Sequence, residues 1–172
     1  MPPPLREAAR HGIAYRAMGH ADLPFIAALY ATTRADEVAA TGWPEEMRRA
    51  FLAQQHLAQH SHYARVWPDA ERLIVERAGE PIGRLYLGAD GDGLRIIDIS
   101  LLPAERGRGL GGAILVDVIA AAEAAGRTVS IHVEKTNPAR RLYERLGFLL
   151  VEDRGLYDLM ERRPGGPPGA DQ

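Results

Sequence analysis

Leu101-Leu-Pro103-Ala-Glu-Arg106-Gly-Arg-Gly109-Leu-Gly-Gly112 joins a strand-like run, residues 94–101, to an apolar run of helix length, residues 110–125. A strand, a glycine-rich turn and a helix start together make an anion site. Glycines at 107, 109, 111 and 112 let the main chain turn sharply and approach a ligand closely. The N–H groups of the first helical turn have no partner within the helix and point at whatever sits there. The natural guest is a phosphate or pyrophosphate.

Three anion loops compete for this stretch. A P-loop needs Gly-x-x-x-x-Gly-Lys followed by Ser or Thr, and no lysine stands at the helix start. The dinucleotide fingerprint Gly-x-Gly-x-x-Gly is matched literally by Gly107, Gly109 and Gly112, with Glu134 at the end of the following strand. Against a nicotinamide site, that fingerprint starts at the strand end, whereas residues 102–106 intervene here, and too little chain follows to build further parallel strands. The third pattern is Arg106-x-x-Gly109-x-Gly111, preceded by a hydrophobic-x-Pro ending at Pro103.

A second block stands downstream: Asn137-Pro-Ala139-Arg-Arg-Leu-Tyr143-Glu-Arg-Leu-Gly147-Phe148. The two blocks, in this order and separation, resemble the GNAT superfamily of acyl-CoA-dependent N-acetyltransferases over about residues 12–160. The resemblance implies an α/β (α+β) fold with a central mixed, mostly antiparallel sheet and helices on both faces. It also implies acetyl-CoA as acyl donor and direct transfer to a primary amine through a ternary complex. A non-catalytic acyl-CoA-binding regulatory module of the same fold is the alternative.

Composition agrees with one compact enzyme domain. The 172 residues are 46% apolar and 26% charged, which is ordinary globular material long enough to bury a core. A net charge of −2 and a pI near 6.3 lack the basic footprint of a nucleic-acid binder. The absence of cysteine removes disulfides, thiolate metal sites and a cysteinyl acyl-enzyme. With no long uncharged apolar run and no signal-peptide core, the expectation is a cytoplasmic protein without membrane contact.

The chain reads as a single domain over 1–162, with a disordered leader at 1–10 and a disordered Pro/Gly tail at 163–172. A first strand is expected over Ile13 to Met18. Asp22 is expected to N-cap a helix reaching Ala40, and Glu45 and Glu46 to open another reaching about Ser61. Strands at 72–77 and 81–87 are joined by a Gly79-Glu80 hairpin signal. Asp90-Gly-Asp-Gly93 reads as a plain turn, because the final Glu and flanking helices of a calcium loop are missing. Then come the strand 94–101, the helix 110–125, a strand at 128–133, a helix at 138–146, and strands at 148–153 and 156–160. The resulting order, β-α-α-β-β-β-α-β-α-β-β, is that of GNAT folds.

By the same resemblance, the main chain of Ile99, Leu101 and Leu102 binds the pantetheine arm, with the Leu101 N–H on the thioester carbonyl. The amides of Arg106, Gly107, Arg108, Gly109, Leu110, Gly111 and Gly112 hold the pyrophosphate, assisted by the arginine side chains. Asn137 and Ala139 lie against the pantetheine, and Tyr143 acts beside the sulfur as general acid. Asn137 also suits a helix cap ahead of Pro138. A carboxylate that some relatives use as base falls here on Arg95 and cannot be carried over. Asp98 is the leading catalytic carboxylate, although alternation sets it with Ile96 and Ser100 on the face opposite Leu101 unless a bulge intervenes. Asp36, Glu37 and His132 are the other candidates. Glu37 and Trp43 are expected in the acceptor wall, where acid suits an amine and the indole offers a cation–π face. The acceptor is a small molecule, an amino-acid derivative or a protein amine, and relatives' habits make a homodimer an expectation. His56-x-x-x-His60 lacks a third ligand and reads as a surface face, so no metal is expected.

Overall fold

The computed structural model describes residues 2–166. Seven strands form one sheet in the order β1-β2-β3-β4-β5-β7-β6. They are β1 (Ile13–Ala17), β2 (Glu71–Arg77), β3 (Glu80–Asp90), β4 (Gly93–Leu101), β5 (Val129–Glu134), β6 (Leu149–Arg154) and β7 (Tyr157–Arg162). Every pairing is antiparallel except β4 with β5. A single parallel pair cannot make the doubly wound sheet that a dinucleotide fingerprint serves, so the nicotinamide rival falls on topology.

The helices are α1 (Glu7–Arg10), α2 (Leu23–Thr33), α3 (Ala35–Ala39), α4 (Glu45–Val66), α5 (Leu110–Ala124) and α6 (Arg140–Arg145). One sheet face carries the main core. There Leu85 and Leu87 of β3, Ile96 and Leu101 of β4, and Val129, Ile131 and Val133 of β5 pack with Ile114, Leu115 and Val118 of α5. The α2 and α4 helices cover the opposite face, where Arg84 and Tyr86 alternate with the core leucines of β3.

Four local expectations change. The first helix breaks at Arg34 (φ −114°, ψ 4°), because the hydroxyls of Thr32 and Thr33 bond back to the carbonyls of Leu29 and Tyr30, both at 2.7 Å. Asp22 makes no side-chain cap on α2. It takes a two-pronged ion pair from Arg16 (both contacts 2.7 Å) and the Gly19 N–H at 2.7 Å. The hairpin turn is Ala78-Gly79, one residue earlier than read, and positive φ at both positions (53° and 80°) matches the twist of the flanking strands. Within the expected leader, Glu7–Arg10 forms a helix and Pro3 is buried. The buried carboxylate of Asp117 on α5 accepts the N–H groups of Arg6, Glu7 and Ala8, each at 2.9 Å, and this holds α1 on the core.

The Asp90-Gly-Asp-Gly93 stretch is a hairpin turn, with Asp90 opposite Gly93 in the ladder. Of the expected tail, residues 167–172 lie outside the described residues. Among the described residues no helix is long and apolar enough to cross a membrane.

Candidate active site

The central pairing is interrupted where the site forms. Between β3 and β4 the register shifts, so that Tyr86 faces Asp98 while Leu87 faces Ile96, and Ile97 is the extra residue of a bulge. Such a bulge bends its strand and raises the local twist. On its other side β4 pairs with β5 only over Leu94–Ile96 and Val129–Ile131. Beyond that point β4 follows β3 to Leu101, while β5 follows β7 to Glu134. The sheet therefore forks between them.

The fork exposes main chain. Leu102 N–H donates to the Ile82 carbonyl on the β3 side at 2.8 Å, and the Leu101 carbonyl accepts from Arg106 Nε at 2.8 Å. Since successive residues of a strand direct their polar groups to opposite edges, the Leu101 N–H faces the open side of β4, as does that of Ile99. Gly83 permits the close approach of β3 at this point: a Cβ there would lie 2.3 Å from the Ser100 oxygen and 2.6 Å from Leu101 Cδ2.

The glycine loop follows directly. Gly107 and Gly109 have φ of 69° and 80°, a region in which a side chain is strained, and open space surrounds both. Gly109 starts α5 by accepting the Ala113 N–H at 3.0 Å, which leaves the amides of Leu110, Gly111 and Gly112 in the unpaired first turn. The Leu110 side chain is core. Arg106 fastens the loop to the scaffold through the Leu101 carbonyl and Thr32 Oγ1 (2.9 Å). Arg108 is half exposed and reaches Glu105 at 3.4 Å.

Tyr143 lies on the α5 side of the fork, buried edge-on against Phe148 with ring centroids 5.8 Å apart. Burial, helped by the negative charge of Asp98, pushes its hydroxyl up to about 12, so it stays protonated at physiological pH. Asn137 Oδ1 accepts the Ala139 N–H at 2.9 Å, shaping the turn into α6, and Ala139 packs on the core.

Asp98 is already engaged. The bulge sends Ile96, Ile99 and Leu101 to the α5 core, and leaves Asp98 and Ser100 facing α4. There the Asp98 carboxylate accepts from Arg84 Nη2 (2.7 Å) and Nε (3.2 Å), Ser100 Oγ (2.7 Å) and Tyr63 OH (3.3 Å). Arg84, 3% exposed, also reaches Gln59 Oε1 at 2.8 Å. This is a closed ion-pair network rather than a carboxylate waiting for an amine proton.

On the same face a cavity of about 530 Å³ opens beside the fork. Its walls come from Tyr30 and Arg34, from α4 between Gln55 and Tyr63, from Arg95 to Ile97 of β4, and from Arg154 and Tyr157 of the β6–β7 hairpin. Trp67 closes one end, packed so tightly on β3 that a Cβ on Gly88 would meet its ring at 2.7 Å. His132, the first β5 residue beyond the paired segment, also lines it. Although His132 is an exposed residue, partial desolvation and then the charges of Arg95 and Arg154 press its imidazole below its usual range, which favours the neutral form.

Glu37 and Trp43, expected in the acceptor wall, do not line this cavity. Glu37 is mostly exposed and bonded to Arg34 at 2.7 Å, and Trp43 stands edge-on to Phe51 at 5.4 Å. His56 is buried against Tyr30 rather than on a surface face, and the described residues hold no group of three or more metal-ligating side chains. Trp67, Arg154 and Tyr157 were not singled out in the sequence, because only the tertiary fold brings them to the fork.

A family model for GNAT acetyltransferases matches residues 25–148. No curated protein sequence matches the chain. Among solved structures, the PaiA N-acetyltransferase of Thermoplasma acidophilum, in complex with coenzyme A, superposes with a TM-score of 0.65 at 16% identity, covering 88% of this chain and 98% of that one. An acetyltransferase from Thermus thermophilus gives 0.63 at 18% identity, covering 88% and 96%. A GNAT family acetyltransferase from Elizabethkingia anophelis with acetyl-CoA bound gives 0.56 at 17% identity, covering 88% and 98%. At these identities the superpositions speak for the fold, and the family model spans most of the chain. With a forked mixed sheet leading into a glycine loop at a helix start, the chain belongs to the GNAT family of acetyltransferases and is an acyltransferase.

Proposed function

We propose that this protein transfers an acetyl group from acetyl-CoA directly to a primary amine held in the cavity on the α4 face. The observation that carries this is the continuity of three features: open main chain at Ile99 and Leu101, unpaired amides at Leu110 to Gly112, and the cavity on the far side of the fork. They fit coenzyme A chemically. The loop amides suit a pyrophosphate, and an exposed strand edge suits the amide groups of a pantetheine. Arg108 adds charge from solvent, while Arg106 holds the loop in place.

Acetyl-CoA supplies an activated thioester carbonyl. The Leu101 N–H is the donor for the oxygen of that carbonyl as negative charge develops on it. Tyr143 keeps a proton available for the departing sulfur. His132 is the group we assign to take the proton from the amine, since it lines the cavity and its neutral form is favoured there. Asp98 is a positioning residue that holds Arg84, Ser100 and Tyr63 under α4. Direct transfer accords with the lack of any cysteine nucleophile.

The test is calorimetric titration with acetyl-CoA, coenzyme A and NADH, followed by thiol release against an amine panel. Acetyl-CoA binding with amine-dependent thiol release is expected. Coenzyme binding without turnover on any amine would favour the non-catalytic module, and NADH binding without coenzyme A binding would refute the donor site.

A further inference from the structure

We infer that the acceptor is an amine carrying its own oxyanion group a few bonds from the nitrogen, such as an amino-acid carboxylate or an aminoalkyl phosphate. This rests on the acetyl-transfer reading and names the substrate class of the same site. An amine substrate invites acidic walls, yet no Asp or Glu lines the cavity, whereas Arg34, Arg95 and Arg154 all do.

The arginines are not neutralised equally. Arg34 and Arg154 meet Glu37 and Glu152 at 2.7 and 2.8 Å, but those carboxylates are 65% and 54% exposed, where an ion pair is weak and easily exchanged. Glu134 is 3.9 Å from Arg34 and takes a bond from Tyr157. Arg95 differs. Its side chain is 9% exposed, and Asp90 takes both Nε (3.1 Å) and Nη2 (2.5 Å) through one oxygen that Ser130 also shares. Its Nη1 is buried with no hydrogen-bond partner. A buried guanidinium N–H left unpaired is costly, so Arg95, which lines the cavity, carries positive charge and hydrogen-bonding capacity that Asp90 does not fully satisfy.

Placement sets the spacing between amine and anion. Arg95 is paired in register with Ser130, two residues from His132 on β5, and Arg154 Nη1 lies 3.3 Å from His132 Nε2. The cations thus flank the group assigned to the amine, so the nitrogen and the oxyanion belong to one small molecule. Tyr30, Tyr157 and Trp67 leave aromatic wall for an apolar substituent.

The experiment is calorimetric titration of the coenzyme A-loaded protein with L-phenylalanine against L-phenylalaninamide, and with O-phosphoethanolamine against ethanolamine. The acidic member of at least one pair should bind about tenfold or more tightly than its neutral partner, and the pair that discriminates identifies carboxylate or phosphate. Arg154→Gln and Arg34→Gln, both at partly exposed positions, should erase most of that preference while leaving acetyl-CoA affinity unchanged. Equal or tighter binding of the neutral members, or binding of none of the four, overturns the inference. Acetyl-CoA titration of the same samples keeps the two readings apart. Donor binding without an acid preference refutes only this inference, and acid-selective binding without donor binding refutes only the transfer reading.

Discussion

Asp98→Asn separates a positioning carboxylate from a catalytic base. In the folded protein Asp98 receives four donors, two of them from an Arg84 side chain that is 3% exposed. The amide keeps the shape but removes the counter-charge and turns an N–H donor toward the guanidinium. Removing one partner of a buried ion pair in this way costs about 3–5 kcal/mol, because the remaining charge stays buried. For a chain of this size that corresponds to a fall in Tm of roughly 6–20 °C. The assay is urea and thermal unfolding, paired with kcat at saturating acetyl-CoA and amine at a temperature where the variant is folded. We expect the full stability loss and a kcat within about tenfold of the parent, since losing a general base costs about 10²–10⁴-fold. The companion Arg84→Met/Asp98→Leu should recover most of the stability, because neither charge is then left alone. A variant that keeps its stability within about 1 kcal/mol yet loses kcat by about 10²-fold or more would refute the reasoning and restore Asp98 as the base.

Tyr143→Phe should lower kcat by about 10²-fold or more with acetyl-CoA affinity nearly unchanged, measured by steady-state kinetics and calorimetry; unchanged kcat would leave the tyrosine a core anchor. Gly83→Ala forces a Cβ to 2.3 Å from the Ser100 oxygen, so stability should fall by about 1–3 kcal/mol in urea. Acetyl-CoA affinity should weaken with it, as Leu101 is displaced, and a parent-like urea midpoint would mean that the strands separate freely. The hydrogen bonds of Arg16, then the Gly19 N–H, hold the Asp22 carboxyl at about 2, below its ordinary 3.8. Its stabilising contribution is therefore complete above the unfolded value and lost as pH falls through about 2, and Asp22→Asn should flatten the stability profile in that acid window.

The parts of the site that are main chain were legible in the sequence. Gly107 and Gly109 mark positive φ, and the apolar run after them marks a helix start, so a local reading finds the amide cradle without any tertiary knowledge. The second block was legible for the same reason, since Asn137 shapes the turn into α6 and Tyr143 and Phe148 fill one core. The acceptor side was not. Glu37 and Trp43 looked suitable by chemistry, but neither lines the cavity: Glu37, on the short helix after the break at Arg34, bonds Arg34 and lines a small adjoining pocket, and Trp43 lies in the loop beyond, against Phe51. Arg154 and Tyr157 lie far along the chain on a hairpin of ordinary polar and apolar residues, with no local signal of a site.

The sequence by itself determined the element order, the glycine loop and the family, because backbone conformation and helix starts are set by residues within a few positions of one another. Only the tertiary structure decided the cavity on the α4 face, which we propose holds the acceptor. One extra residue at Ile97 re-phases β4, so that Ile96 joins Ile99 and Leu101 on the core face, and beyond Ile96 the strand parts from β5. The cationic cavity then gathers side chains from two helices, two central strands and a distant hairpin. Charge balance and burial at that point are sums over residues remote in sequence, and they exist only once the sheet has forked.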